Sequence, residues 1–181
     1  MLITASYHRE RALSYARRWA FDRNPLFYNF AGIGGDCTSY VSQCVYAGSC
    51  QMNYNVPNGW FFDNINHRSP SWSGVSQFYD FIVGNQGEGP FATETNAGGL
   101  TIGDVIQLQN NQGRFYHTLL VTGFAQGTYL VSAHTDDALD RPLNSYQYAG
   151  IRFLHIEGVR ENKREDVNCF YNLYNGISIY G

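Results

Sequence analysis

The chain carries little charge and lacks the features that would place it in a membrane or on a nucleic acid. Only 15% of its 181 residues are charged, and 12 Lys and Arg against 15 Asp and Glu give a net charge of −3. Nucleic-acid binding needs a basic stripe, which this balance does not supply. No apolar run approaches the roughly 20 residues of a membrane span, and the N-terminus has no apolar signal segment. We therefore expect no membrane span, and a cytoplasmic location unless a signal was removed or export is non-classical.

Cysteine is also scarce, with four residues and no CxxC pair, which argues against a structural zinc site. We expect free thiols, because Cys37, Cys44 and Cys50 cluster around one predicted helix while Cys169 lies in a polar tail. A mature secreted chain that had lost its signal would show the same four cysteines, joined as disulfides.

Motifs of several common enzyme classes are missing. The chain has no GxxxxGK[ST] loop, GxGxxG fingerprint, GxSxG elbow or HExxH helix. Their absence removes nucleotide-binding, serine-hydrolase and metalloprotease interpretations. We expect no cofactor and no metal.

Two segments near the N-terminus have helical periodicity. Apolar side chains recur at helical spacing between about Ser6 and Ala20, and Asn24-Pro25 ends that pattern. A second helix is predicted from Cys37 to about Ala47. The buried face of that second helix consists of Cys37, Tyr40, Val41, Cys44 and Val45.

The second half of the chain is strand-like. A short helix over 76–83 and a glycine-rich loop over 84–99 come first. The predicted strands are 104–109, 115–124, 128–134 and 151–156. The first three are separated by turn residues typical of an antiparallel meander. Helices followed by strands predict an α+β fold. We treat residues 1–181 as one domain with a core over about 6–157 and an unassigned C-terminal segment over 158–181, whose part after Val167 is either a strand or a helix.

Cys37 is the candidate nucleophile. A cysteine in the first turn of a helix gains thiolate character, because free N–H groups and the helix dipole favour negative charge there. Its own N–H is a natural oxyanion donor. His117 lies on a strand among apolar neighbours, where a polar ring needs a partner, and it could take the thiol proton. The alternative is a core histidine satisfied by the backbone.

Other polar and aromatic residues are candidates for supporting roles. His134 could fix the tautomer of His117, and Asp136 and Asp137 are the alternatives for that role. Asp36 could cap the nucleophile helix. Trp60 and Trp72 could wall a substrate groove, or could pack in the core.

Three segments together resemble the putative amidase domain family of bacteria, a branch of the papain-like cysteine hydrolases near the NlpC and CHAP cell-wall peptidases. These segments are Ala12–Pro25, Gly35–Cys44 with its Gly-Asp-Cys-Thr sequence, and Gly103–Gln107 followed by His117 and His134-Thr135. The resemblance implies a nucleophile helix packed on a small antiparallel sheet that carries His117, with His134 as the third site residue and Asp36 in contact with a substrate amine.

The predicted activity is amide hydrolysis through a thioester, on a peptide or peptidoglycan-type substrate. An acyltransferase would use the same Cys–His pair. A binding module that keeps the fold without catalysis is the alternative from another functional class, and the oligomeric state is left open.

Overall fold

The computed structural model describes residues 1–162 and 166–178. Within this part of the chain the α-helices are α1 (Arg9–Trp19), α2 (Cys37–Ser49), α3 (Pro70–Ser73), α4 (Val75–Gly84) and α5 (Cys169–Asn175). A short 3₁₀ turn also spans Leu143–Ser145.

Among the described residues, seven strands form one antiparallel sheet and two further strands form a separate hairpin. The strands are β1 (Ile3–Ala5), β2 (Phe62–Asn64), β3 (His67–Arg68), β4 (Gly89–Thr95), β5 (Val105–Gln109), β6 (Phe115–Ala125), β7 (Thr128–Ala133), β8 (Ala138–Pro142) and β9 (Gly150–Glu161). The sheet runs in the order β1-β9-β5-β6-β7-β8, with β4 also paired to β9, while β2 pairs with β3. Each of these pairings is antiparallel.

The helix α2 lies at the centre of the molecule. All 13 of its residues are buried, so it has no solvent face. It packs between α1, α3, α5 and the strand β6. Residues on this helix are therefore held by packing on every side, and its first residue is placed with little freedom.

The predicted α+β class is confirmed, with a mostly antiparallel sheet and several helices. The meander is confirmed as β5-β6-β7, and the predicted helices correspond to α1, α2 and α4. The expected loop over 84–99 is wrong in part, because β4 lies within it and pairs with β9. The undecided segment after Val167 forms α5, and its last residues, 179–181, lie outside the described part. No helix in the described residues is long and apolar enough to cross a membrane.

The expectation of four free thiols is wrong for two of them. Cys50, the residue directly after α2, forms a disulfide with Cys169 at the start of α5, across 119 residues of sequence. Cys37 and Cys44 are free and buried. Cys37 and Cys44 lie on α2 and Cys50 directly follows it, as predicted. The tail that carries Cys169, however, folds back onto the end of that helix. Disulfide bonding, the alternative to free thiols, is therefore correct for this pair.

Candidate active site

A glycine turn sets the position of Cys37. Gly34 and Gly35 have φ angles of 91° and 98°, which residues with a side chain rarely adopt. The space beside Gly35 is also limited, since a Cβ there would lie 3.3 Å from the Thr135 hydroxyl. That hydroxyl accepts a hydrogen bond from the Asp36 N–H at 3.1 Å. The turn therefore ties the start of α2 to the loop that follows β7.

Cys37 is the first residue of α2 and is 7% exposed. Burial raises the pKa of its thiol, and hydrogen bonds from the Thr118 backbone and from Thr38 oppose that rise. The Thr38 hydroxyl oxygen lies 3.8 Å from the sulfur. The position at a helix N-terminus agrees with the prediction. The thiolate character inferred from that position does not describe the resting state, because desolvation outweighs the local donors.

His117 lies on β6 and is 8% exposed. Burial lowers the pKa of His117 to about 4, while the charge of Asp136 raises it and that of Arg141 lowers it further. The ring lies near those of Tyr116 and Tyr146, with centroids 6.0 and 5.9 Å away. At neutral pH the imidazole is therefore uncharged and able to accept a proton.

Cys37 and His117 both line one cavity of about 400 Å³. It lies between the glycine turn, β6 and the segment around β8, and its walls carry one carboxylate, one guanidinium and two tyrosines beside the Cys–His pair. The lining residues with side chains that bear on chemistry are Cys37, Tyr116, His117, Asp136, Arg141 and Tyr146. The two residues that the sequence assigned to nucleophile and base thus share a solvent-accessible space.

The ring of His134 makes its contacts outside the cavity. Its Nδ1 lies 2.6 Å from Asp36 Oδ2, its Nε2 lies 2.8 Å from the Trp19 carbonyl, and its ring stacks on Tyr40 at 3.9 Å. It is 1% exposed. Neither ring nitrogen is left to hydrogen-bond His117, which corrects the predicted orienting role: His134 joins the end of β7 to α1 and α2.

Asp36 is buried in the same cluster rather than facing the cavity. One carboxylate oxygen accepts the Phe30 N–H at 3.0 Å, and the other lies between His134 and the Arg23 guanidinium. No side-chain bond caps α2, so the predicted helix cap is wrong. At 1% exposure the carboxylate also has no surface for a substrate amine, and the expected substrate contact is corrected with it.

The two carboxylates that follow His134 divide between different partners. Asp137 makes a bidentate ion pair with Arg23 at 2.9 and 3.0 Å. Asp136 lines the cavity beside His117. Of the alternatives that the sequence left open for a group near the imidazole, only Asp136 is placed where its charge reaches that ring.

Trp60 and Trp72 are core residues. Both are 0% exposed, and their rings lie 5.0 Å apart within an aromatic cluster that includes Phe27 and Phe81. Neither lines the cavity. The predicted substrate groove is therefore wrong for this pair, and the alternative of core packing is correct.

Sequence reasoning missed the polar residues that support the site from behind. Gln107 and Thr118 are fully buried on β5 and β6 and face each other in register. The available signal was an amide side chain within an apolar strand, since buried amides need partners. Asp104 of the Gly-Asp motif has a different role: it is 0% exposed, binds Arg9 and His155, and fixes the sheet to the start of α1. In the described residues no three His, Cys, Asp or Glu side chains are grouped to hold a metal ion.

Comparison with known proteins gives two matches. Residues 6–156 match the family described as putative amidase domain. A protein of Bacillus subtilis (strain 168), named as the uncharacterized protein YhbB, is 34% identical over 137 residues, which are 73% of this chain. The matched segment spans 42% of that relative's length. No solved structure matches the chain.

Proposed function

The chain belongs to the putative amidase domain family, and from this premise we propose that it hydrolyses an amide bond with Cys37 as nucleophile and His117 as base. The observation that carries the proposal is the shared cavity of the two side chains, one at the start of a buried helix and the other on the sheet. The family suggests amide chemistry, and these residues supply a cysteine route to it.

Burial of Cys37 and His117 favours the neutral form of both side chains in the resting protein. Burial keeps Cys37 protonated and His117 unprotonated, so the reaction begins with transfer of the thiol proton to the imidazole. Transfer creates a thiolate and an imidazolium together. Asp136 is the carboxylate in the cavity whose charge favours the imidazolium, and we assign it that role.

The remaining steps use the same two side chains. The thiolate attacks the amide carbonyl carbon, and the oxyanion that forms lies near the free N–H groups of the first turn of α2. The imidazolium gives its proton to the leaving nitrogen as the C–N bond breaks, which leaves a thioester on Cys37. Water then loses a proton to His117 and attacks the thioester, releasing the carboxylic acid and restoring the thiol.

We further propose a peptide or peptidoglycan-type substrate and a papain-like core related to the NlpC and CHAP peptidases. The arrangement that supports this is a nucleophile helix preceding an antiparallel sheet whose strand bears the histidine. An amine in place of water at the second step would make the enzyme an acyltransferase.

The test is the pH-dependence of Cys37 alkylation by iodoacetamide in wild type and His117→Ala, followed by mass spectrometry of the Cys37 peptide. Cys44 serves as internal control, because it is fully buried and burial raises the pKa of its thiol strongly. We expect labelling at neutral pH to be at least tenfold slower in His117→Ala. Equal rates in the two proteins would contradict the Cys–His pair and favour a non-catalytic binding module.

A further inference from the structure

A line of hydrogen bonds leads from the sheet to the sulfur of Cys37. Arg152 donates to Gln107 Oε1 from Nε and Nη2, at 2.9 and 2.6 Å. Gln107 Nε2 lies 3.1 Å from Thr118 Oγ1, which lies 2.8 Å from Thr38 Oγ1. The last step, from Thr38 Oγ1 to Cys37 Sγ, is 3.8 Å. Gln107, Thr118 and Thr38 are each 0% exposed, so water does not compete for these bonds.

The first member of the line fixes the orientation of the glutamine. A guanidinium has donors and no acceptor, so the Gln107 atom that faces Arg152 must be the carbonyl oxygen. The amide nitrogen then faces the Val75 carbonyl at 2.9 Å and the Thr118 hydroxyl. Arg152 is itself held between the rings of Tyr79 and Phe115, at 3.6 and 3.7 Å.

The orientation of Gln107 favours one direction for the bonds that follow it. Thr118 Oγ1 receives an N–H from Gln107, and its own proton has one acceptor among the described side chains, Thr38 Oγ1. Thr38 Oγ1 is thereby an acceptor toward Thr118. Its own single proton is then available to the sulfur of Cys37, 3.8 Å away.

We propose that Gln107 is a positioning residue that acts through Thr118 and Thr38 to aim a hydroxyl proton at Cys37 Sγ, and so stabilises the thiolate during nucleophilic attack. The inference rests on the proposed function in one respect, namely that Cys37 is the nucleophile. A hydrogen bond to the charged form favours that form, and its effect is largest in a dry site.

The line works alongside titratable groups that lie near Cys37. Asp36 disfavours the thiolate by its charge, and the cavity presents ionisable side chains of both signs. Those in the cavity are Tyr116, His117, Asp136, Arg141 and Tyr146. Among the groups near the sulfur, the Thr38 hydroxyl is the one whose orientation depends on residues of the sheet, Thr118 on β6 and Gln107 on β5.

The test reverses the line with a nearly isosteric change. In Gln107→Glu the carboxylate keeps its bonds to Arg152 but has no N–H for Thr118 or for the Val75 carbonyl. The Thr118 hydroxyl then donates to Glu and accepts from Thr38, whose proton turns away from the sulfur. We expect the pH profile of Cys37 alkylation to move upward by about one unit, which is about tenfold slower labelling at pH 7.

A double variant distinguishes the effect of the hydrogen-bond line from the effect of the negative charge that Gln107→Glu adds. In Thr38→Val the hydroxyl at the end of the line is gone, so Gln107→Glu should slow labelling there by less than twofold if the line carries the effect. A tenfold loss that persists in the Thr38→Val background would overturn the proposal. So would a Gln107→Glu profile that superimposes on wild type.

If Gln107→Glu fails to fold, as judged by circular dichroism, the comparison moves to Thr38. Thr38→Ser keeps the hydroxyl and should label like wild type, whereas Thr38→Val should label about tenfold more slowly. Equal rates would overturn the proposal. Failure of the proposed function is seen separately, because it is read from His117→Ala, whereas these variants leave His117 and the cavity walls intact.

Discussion

His117 is a buried imidazole whose protonation has a cost that depends on pH. Burial lowers the pKa of His117 to about 4, whereas a histidine in an unfolded chain titrates near 6.5. The unfolded chain therefore takes up a proton at a higher pH than the native protein does. The neutral His117 ring contributes fully to the free energy of unfolding above pH 6.5, and this contribution is lost as the pH falls toward 4.

We predict that His117→Gln weakens this pH-dependence. A depression from about 6.5 to about 4 corresponds to about 3 kcal/mol of stability lost between pH 7 and pH 4. Urea denaturation of wild type and variant at the two pH values measures it. The wild type should lose about 3 kcal/mol more than the variant, and equal losses would contradict the lowered pKa.

Two histidines at similar positions have opposite environments. His134 has acceptors at both ring nitrogens, Asp36 and the Trp19 carbonyl, whereas no hydrogen bond from the His117 ring is found among the described residues. The sequence predicted a site role for both, because each lies on or beside a strand of the meander. Which ring faces a cavity and which a carboxylate depends on α1 and α2, and strand periodicity carries no information about those contacts.

The helix α2 shows how one element separates a candidate functional cysteine from a structural one. Cys37 lies at its start and faces the cavity, while Cys44 lies two turns later with no exposed surface. Only the first has room for a substrate. The second fills space in the core, where lost atoms leave a cavity.

We predict opposite outcomes for alanine at these two positions. Cys37→Ala should abolish turnover, with a change in stability under about 1 kcal/mol, since its sulfur borders open space. Cys44→Ala should keep most activity and lose about 1–2 kcal/mol by leaving a small core cavity. Denaturation midpoints and turnover of an amide substrate are measured on both. Equal losses of activity would refute the assignment of Cys37 as nucleophile.

Elements with their own periodicity could be predicted, and elements defined by distant partners could not. The spacing of apolar residues was enough for α1, α2 and the meander. The strand β4 lies among glycines and has a weak pattern, and its strand conformation depends on pairing with β9 about 60 residues later. The aromatic segment before it was ambiguous for a similar reason, because Trp60 and Trp72 suit a groove or a core equally until their neighbours are known.

At the scale of the whole molecule, the first strand and the last described helix are both fastened to distant parts of the chain. The strand β1 pairs with the end of β9, and α5 packs on α1 and α2. The Cys50–Cys169 disulfide closes a loop across 119 residues between the end of α2 and the start of α5. Sequence spacing predicted neither contact, because each joins segments whose proximity exists only in the folded chain.

The disulfide should therefore make a large contribution to global stability. In the chain-entropy account, a cross-link across this separation removes about 5 kcal/mol of conformational freedom from the unfolded state. We predict that Cys169→Ser lowers the free energy of unfolding by up to this amount, measured by guanidinium denaturation. A reducing agent should bring wild type close to the variant while leaving the variant unchanged. A wild type whose midpoint is insensitive to reduction would show that the 119-residue closure contributes little, and that packing of α5 alone holds the tail on α2.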